Sequence, residues 1–193
     1  YRPVAGPEGE LVSSMEIPLE KVAAQSLTFQ TYDPPVEIEG VFLAPLARHL
    51  SLEGSFMELA RLSEGIVDGL PASFEPRQVS VSAAAPGRVN AFHVHPKVRQ
   101  DELWCVITGA LKVWLVDVRA GSPTVGARRE VILSGETPQL LHIPAGVAHG
   151  YRAGPEGAVL LYLSSQQFNR ADPNEGRLPW DAFGAELWQD DRG

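Results

Sequence analysis

The chain has 193 residues, of which 44% are hydrophobic, and this suits a single domain with a substantial core. Its formal net charge is −8 and no stretch concentrates lysine and arginine, which argues against a nucleic-acid or membrane partner because both require a positively charged face. The single cysteine, Cys105, excludes an internal disulfide, so we expect a reducing, cytoplasmic setting.

The predicted elements are short and mostly extended. Residues 18–25 are the best helix candidate, and residues 1–35 are expected to form an N-terminal extension that contacts a partner subunit. Residues 36–193 are expected to form the folded domain. Its predicted strands are 37–43, an apolar-rich run within 53–62, 78–84, 103–107, 111–118, 139–143 and 158–163. Glycine and proline separate these strands, and Thr108-Gly109-Ala110 reads as a hairpin turn, so the pattern predicts an all-β barrel or sandwich.

Polar residues in the middle of the chain have the spacing of a metal site. His93 and His95 are two residues apart, which places both imidazoles on one face if the segment is a strand. Glu102 follows, then Gly109 after six intervening residues, and later P-A-G-V-A-H, whose last residue is His149. This series matches the double motif of cupins, which are jelly-roll β-barrels.

The motif predicts that His93, His95, Glu102 and His149 bind one divalent transition metal. Three imidazoles and a carboxylate suit Fe, Mn, Ni, Zn or Cu, and ligand type alone does not choose among them. The alternative is a set of polar residues that line the barrel without a metal. His49 and His142 fit no pattern, and His142 is expected to be a packing residue.

From residue 37 to residue 188 the chain resembles the dTDP-4-dehydrorhamnose 3,5-epimerase family. Residues 116–126, V-D-V-R-A-G-S-P-T-V-G, are similar to the family's V-D-x-R-x-x-S-P-T-x-G. Residues 143–150, I-P-A-G-V-A-H-G, are similar to its I-P-x-G-F-A-H-G, and the L-Y pair at 161–162 to its L-Y-K strand. Residues 172–181, D-P-N-E-G-R-L-P-W-D, resemble the family segment that ends in W-D-D. The resemblance implies a cupin barrel and a homodimer.

The resemblance also implies an activity, the inversion of carbons C3 and C5 of a nucleotide-linked 4-keto sugar. A histidine base removes the proton next to the ketone, and a tyrosine on the opposite face returns one. These family residues correspond to His93 and Tyr162. The substrate-binding residues are expected to be Gln78, Arg88 and Asn90. The family's route needs no metal.

Several positions depart from the family. Two phosphate-binding arginines are replaced by Asn90 and Glu53, which predicts weak binding of dTDP-linked sugars because each charge-assisted hydrogen bond contributes about 1.5–3 kcal/mol. A glutamine and a lysine are replaced by His95 and Glu102, both of which a metal-binding cupin requires. Arg88 is expected to replace one lost phosphate contact.

The sequence therefore leaves three functional hypotheses open. The first is a sugar epimerase, an isomerase; the second is a metal-dependent cupin enzyme such as a dioxygenase; the third is a non-catalytic cupin that binds a small molecule or a metal. The role of His93 distinguishes the first two hypotheses, because a ring nitrogen that is bonded to a metal cannot use the same lone pair to accept a proton.

Overall fold

A computed structural model describes residues 17–190 of the chain. The elements, in chain order, are the helix α1 (Lys21–Ser26), the strands β1 (Phe42–Pro45), β2 (Arg48–Ser51), β3 (Gly54–Met57), β4 (Leu62–Ser63), β5 (Ile66–Val67), β6 (Gln78–Ala84), β7 (Val89–Val94), β8 (Glu102–Asp117), β9 (Arg128–Ser134), β10 (Gln139–Ile143), β11 (Val147–Ser164) and β12 (Gly176–Arg177), and a 3-10 helix (Ala185–Trp188). No helix in this part of the chain is long and apolar enough to cross a membrane.

The chain divides into two compact units, with the boundary between Pro34 and Pro35. In the described part of the first unit, α1 begins three residues later than predicted, because Glu20 caps it by accepting hydrogen bonds from the backbone N–H groups of Val22 and Ala23. The proposed contact between this unit and a partner subunit stays a prediction.

The second unit is built around two long strands, β8 and β11, which pair antiparallel along most of their length. The first half of β8 also pairs with β10, and the second half of β11 with β6, which makes one layer in the order β1-β10-β8-β11-β6. The second half of β8 pairs with β9, and the first half of β11 with β7, which makes a second layer in the order β9-β8-β11-β7-β12. This jelly-roll arrangement confirms the predicted all-β cupin barrel.

The predicted hairpin at residues 108–110 is wrong, because β8 runs through these residues without turning back. Gly109 adopts a positive φ of 72° at an irregularity in the pairing of β8 with β11, and β8 passes from one layer to the other there. A Cβ atom at this position would lie 2.0 Å from the carbonyl oxygen of Gly157 on β11. The glycine therefore allows a bend and a close strand contact, rather than a turn.

The other predicted strands differ from the observed strands mainly at their ends. Residues 78–84 and 139–143 form β6 and β10 as predicted. The first barrel strand, β1, starts at Phe42 rather than at residue 37, although Ile38 before it is buried in the core. Within 53–62 only the short β3 and the start of β4 are extended. The strand predicted at 158–163 is the second half of β11, which begins at Val147.

The family-like segment 116–126 is a loop organised by one buried carboxylate. Asp117 accepts hydrogen bonds from the backbone N–H and the guanidinium group of Arg119, at 2.8–3.0 Å, and from the hydroxyls of Ser122 and Thr124, at 2.5 and 2.7 Å. The hydrogen bonds from Arg119 hold the pKa of Asp117 well below its usual range, and they outweigh the opposing effect of burial. The polar side chains of this motif thus stabilise a loop.

We expect Asp117→Asn to lower the free energy of unfolding by about 3 kcal/mol, because the neutral amide leaves the Arg119 guanidinium without its buried partner. Since the pKa of Asp117 is lower in the folded state than in the unfolded chain, its stabilisation is present at neutral pH and is lost as the pH falls below about 4. Urea unfolding at pH 7 measures the effect, with the exposed Asp33→Asn as control. Equal stability of both variants would contradict it.

Candidate active site

A cavity of about 540 Å³ opens between the two layers of the barrel. Strands β6, β7, β8 and β11 supply its walls, and the segment that leads into β12 covers one side. Its lining is mostly polar and includes Gln78, Ser82, Asn90, His93, His95, Gln100, Glu102, Trp104, His149, Tyr151, Tyr162, Ser164, Asp172, Asn174, Glu175 and Arg177. These side chains suit a polar ligand such as a sugar.

All but one of the residues predicted from the sequence line this cavity. They are Gln78, Asn90, His93, His95, Glu102, His149 and Tyr162. Arg88 is the exception: it is exposed, and its Nε donates a hydrogen bond to the carbonyl oxygen of Val89 at 3.1 Å. Glu53 is exposed between β2 and β3 and does not line the cavity of its own chain.

Three of the four predicted metal ligands meet closely. Ligand atoms of His95, Glu102 and His149 all lie within 4.8 Å of one another. The Nε2 atom of His95 is 3.1 Å from one carboxylate oxygen of Glu102, and the Nε2 atom of His149 is 3.6 Å from the other. Ligand atoms that share an ion at about 2.0–2.2 Å are about 3–3.5 Å apart, so these distances fit a metal.

Backbone carbonyls orient both imidazoles of this cluster. The Nδ1 atom of His95 lies 3.0 Å from the carbonyl oxygen of Asn174, and that of His149 lies 3.0 Å from the carbonyl oxygen of Val147. A carbonyl only accepts, so Nδ1 carries the proton and Nε2 faces Glu102. This is how proteins usually orient metal-binding histidines.

The same geometry also allows a metal-free ion pair. Glu102 is buried and accepts hydrogen bonds from the side chains of Gln100 at 3.1 Å and Trp104 at 2.7 Å. Although burial opposes ionisation, hydrogen bonding to His95 and the neighbouring charges lower the pKa of Glu102 to about 2. Burial also opposes a charge on His95, but Glu102 outweighs it and raises the pKa of His95. Either a proton or a metal ion can therefore lie between the two side chains.

His93 is held apart from this cluster. Its Nδ1 atom lies 3.2 Å from a carboxylate oxygen of Glu175, and its Nε2 atom lies 3.0 Å from the side-chain amide of Asn90. With Nδ1–H donated to Glu175, the lone pair of neutral His93 is on Nε2. The atom of Asn90 that faces Nε2 is Oδ1, which also accepts a hydrogen bond from Arg177 at 3.4 Å, so the Asn90 side chain must turn away from Nε2 before that lone pair can take a proton.

The imidazole of His93 is neutral near pH 7. Burial lowers its pKa to about 4, with further contributions from His149 and Arg177, and these exceed the opposing effect of Glu175. Burial likewise lowers the pKa of His149. A neutral imidazole oriented by a carboxylate is the form of histidine that can take a proton.

The sequence pattern missed the segment that orients these histidines. Strand β12 pairs with β7 so that Arg177 lies opposite His93, and this pairing brings Glu175 and Asn174 to the cavity. Arg177 donates to Glu175 at 2.5 Å and to the Asn90 amide at 3.4 Å. These residues belong to the family-like segment 172–181, but the sequence of this segment does not reveal that their partners lie 79 to 87 residues earlier.

Comparisons with known proteins identify a single family of sugar-modifying enzymes. The family model described as dTDP-4-dehydrorhamnose 3,5-epimerase matches residues 35–187. The spore coat polysaccharide biosynthesis protein SpsL of Bacillus subtilis is 38% identical over 145 residues, which cover 75% of this chain and 91% of that protein.

Solved structures show the same fold. A dTDP sugar isomerase from Desulfovibrio desulfuricans aligns with a TM-score of 0.66 at 28% identity, over 76% of this chain and 88% of that one. ChmJ, a 3'-monoepimerase from Streptomyces bikiniensis in complex with dTDP-quinovose, aligns with a TM-score of 0.68 at 26% identity, over 81% of this chain and 79% of that one.

Proposed function

The chain belongs to the dTDP-4-dehydrorhamnose 3,5-epimerase family, and from that premise we propose that it inverts a carbon next to the ketone of a nucleotide-linked 4-keto sugar, with His93 as base and Tyr162 as acid. The observation that carries this proposal is the neutral His93 imidazole, oriented by Glu175 within the polar cavity. Membership of an isomerase family favours this function over a dioxygenase or a non-catalytic sensor. The dTDP-sugar bound to the similar ChmJ supports the substrate class.

The reaction needs three contributions from the chain. Nε2 of His93 takes the proton from the carbon next to the ketone, and Glu175 stabilises the imidazolium that results. The hydroxyl of Tyr162, on the second half of β11, returns a proton to the opposite face of that carbon. The enolate formed between these steps needs a positive neighbour. In place of the family's lysine, His95 with its raised pKa is suited to this role.

Proton exchange with solvent tests the proposal. In D₂O the enzyme should invert a dTDP-linked 4-keto sugar and introduce deuterium at the inverted carbon, because the returned proton comes from solvent. We expect Tyr162→Phe to lower the rate of inversion about 10²-fold or more, since the acid is removed, while exchange at the carbon facing His93 continues. NMR of the sugar protons measures both processes.

The exposed Tyr32→Phe is the control, because this tyrosine lies outside the cavity and the variant should retain full activity. Inversion without deuterium incorporation, or an unchanged inversion rate in Tyr162→Phe, would show that the proposed proton route is wrong.

A divalent metal is a second proposal for the same cavity. His95, Glu102 and His149 would hold it, and when bound it would supply a Lewis acid that polarises the ketone oxygen. The support is the short distances within this cluster and the Nδ1 hydrogen bonds of both imidazoles. His93 is outside the proposed ligand set, so metal binding and base catalysis do not compete for one lone pair.

We also propose a homodimer, as the resemblance implies. Exposed apolar side chains on the edge strand β6, Val79 and Val81, and on the β2–β3 hairpin, Leu50 and Phe56, support a buried contact with a second copy. Light scattering that gives the mass of a monomer would contradict it. The cytoplasmic location stays a prediction.

A further inference from the structure

The loop that joins β7 to β8, residues 95–101, is fixed by the side chain of Asn174. Oδ1 of Asn174 accepts hydrogen bonds from the backbone N–H groups of Lys97 and Val98, at 2.9 and 3.0 Å. Its Nδ2 donates a hydrogen bond to the carbonyl oxygen of Val98 at 2.8 Å. Because a backbone N–H only donates and a carbonyl only accepts, these contacts allow a single orientation of the Asn174 amide.

The orientation of Asn174 determines that of a second amide, Gln100, which lines the cavity. Nδ2 of Asn174 also donates to Oε1 of Gln100 at 3.3 Å, so the NH₂ group of Gln100 points the other way. This NH₂ group donates to Oε1 of Glu102 at 3.1 Å and lies 3.4 Å from Nε2 of His95. Asn174 and Gln100 thus form an amide relay, which leads from the loop backbone to the proposed metal ligands.

The group that the amide relay presents to the cluster is a hydrogen-bond donor, and a donor is unfavourable beside a cation. The NH₂ group of Gln100 lies next to Nε2 of His95 and Oε1 of Glu102, which are 3.1 Å apart and which a divalent metal would share. The hydrogens of this group carry partial positive charge, whereas the carbonyl oxygen of the same side chain is a possible metal ligand. If Gln100 turned to offer that oxygen, its NH₂ group would face the NH₂ group of Asn174. Asn174 cannot turn in response without losing its hydrogen bonds to the loop backbone.

We propose that the amide relay of Asn174 and Gln100 lowers the affinity of the cluster for a divalent metal and favours the metal-free pair of His95 with Glu102. The relay acts by holding Gln100 with its donor, rather than its acceptor, toward the cluster. This inference concerns which occupant the cluster takes and does not depend on the proposed epimerase activity. Metal binding alone tests it, so its failure would leave the proposed proton transfers untouched.

Calorimetry with Mn²⁺, after treatment of the protein with a chelator, tests the relay. In Asn174→Asp the loop N–H groups keep an acceptor, but the carboxylate cannot donate to Gln100, which should turn its NH₂ group toward it. The carbonyl oxygen of Gln100 then faces the cluster, and we expect the Mn²⁺ affinity to rise at least about tenfold, as is usual for groups that surround metal ligands. The matched control is Asn169→Asp, which adds the same charge to the cavity lining and can still accept a hydrogen bond from the backbone N–H of Ala171.

Gln100→Leu separates the relay from the added charge, because it removes the amide that turns. In this background Asn174→Asp should raise the Mn²⁺ affinity no more than Asn169→Asp does. Thermal unfolding verifies that the variants are folded. If Asn174→Asp does not fold, Gln100→Glu takes its place, since it gives the cluster an acceptor with Asn174 unaltered and should raise the affinity by at least the same factor.

Three results would overturn the inference. The first is an equal Mn²⁺ affinity of Asn174→Asp and Asn169→Asp, and the second is an increase in Asn174→Asp that persists in the Gln100→Leu background. The third is the absence of Mn²⁺ binding in both Asn174→Asp and Gln100→Glu, because the relay would then withhold nothing from the cluster.

Discussion

The variant His93→Asn is expected to lower the turnover number for a dTDP-linked 4-keto sugar by about 10²–10⁴-fold, which is the usual contribution of general acid–base catalysis. Asparagine keeps a polar side chain of similar reach, but it has no lone pair that can accept a proton near neutral pH. Because the base acts in the chemical step, deuterium exchange into the sugar should fall together with turnover. Steady-state kinetics and NMR exchange measure the two quantities.

Glu175→Gln distinguishes base catalysis from a general disturbance of the cavity. Glutamine keeps the size of Glu175 but no longer stabilises the imidazolium, so we expect a lower kcat and a nearly unchanged KM. The control for both variants is His49→Asn, since His49 is exposed on β2 and outside the cavity. Full activity of His93→Asn would show that another group in the barrel acts as the base.

Metal binding is expected to depend strongly on Glu102. If the cluster is a metal site, the purified protein should contain a divalent transition metal, and Glu102→Gln should lower the affinity about 100-fold or more, because it removes the anionic ligand. Elemental analysis and calorimetry with Zn²⁺ or Mn²⁺ measure this without reference to activity. Glu175→Gln is the matched control, since its carboxylate lines the same cavity but lies outside the cluster.

Chelation then separates the two modes of enolate stabilisation. If a metal supplies the positive charge, removing it should abolish turnover; if protonated His95 supplies it, turnover should survive chelation. A protein that contains no divalent metal and binds none would end the metal proposal and leave the ion pair of His95 with Glu102 as the native state of the cluster.

Base catalysis and metal binding are compatible because the fold places His93 and His95 in different surroundings. From the sequence, His93 and His95 were expected to point to one ion, since residues two apart share a face of a strand. Strand β7, however, ends at Val94, so His95 lies beyond it and is oriented by the carbonyl of Asn174. His93 remains in the strand and faces Glu175. One H-x-H motif could therefore supply both the proposed base, His93, and one ligand of the proposed metal site, His95.

The amino-acid sequence alone was enough to predict the all-β fold, the family and seven of the residues that line the cavity. These follow from local patterns: period-two strands such as β6, glycine-separated turns, and motifs whose order and spacing can be compared directly. The cupin motif identified His149 and the family resemblance identified Tyr162, and both residues line the cavity.

The partners of these residues are evident only from the folded barrel. Glu175 reaches His93 through the pairing of β12 with β7, Gly109 lies at a bend in β8 where that strand approaches Gly157 closely, and Arg88 does not line the cavity. Each of these facts depends on a contact between segments far apart in the chain or on the place where a strand ends. Local side-chain periodicity carries no information about such contacts, because they arise from how the whole barrel closes around its core.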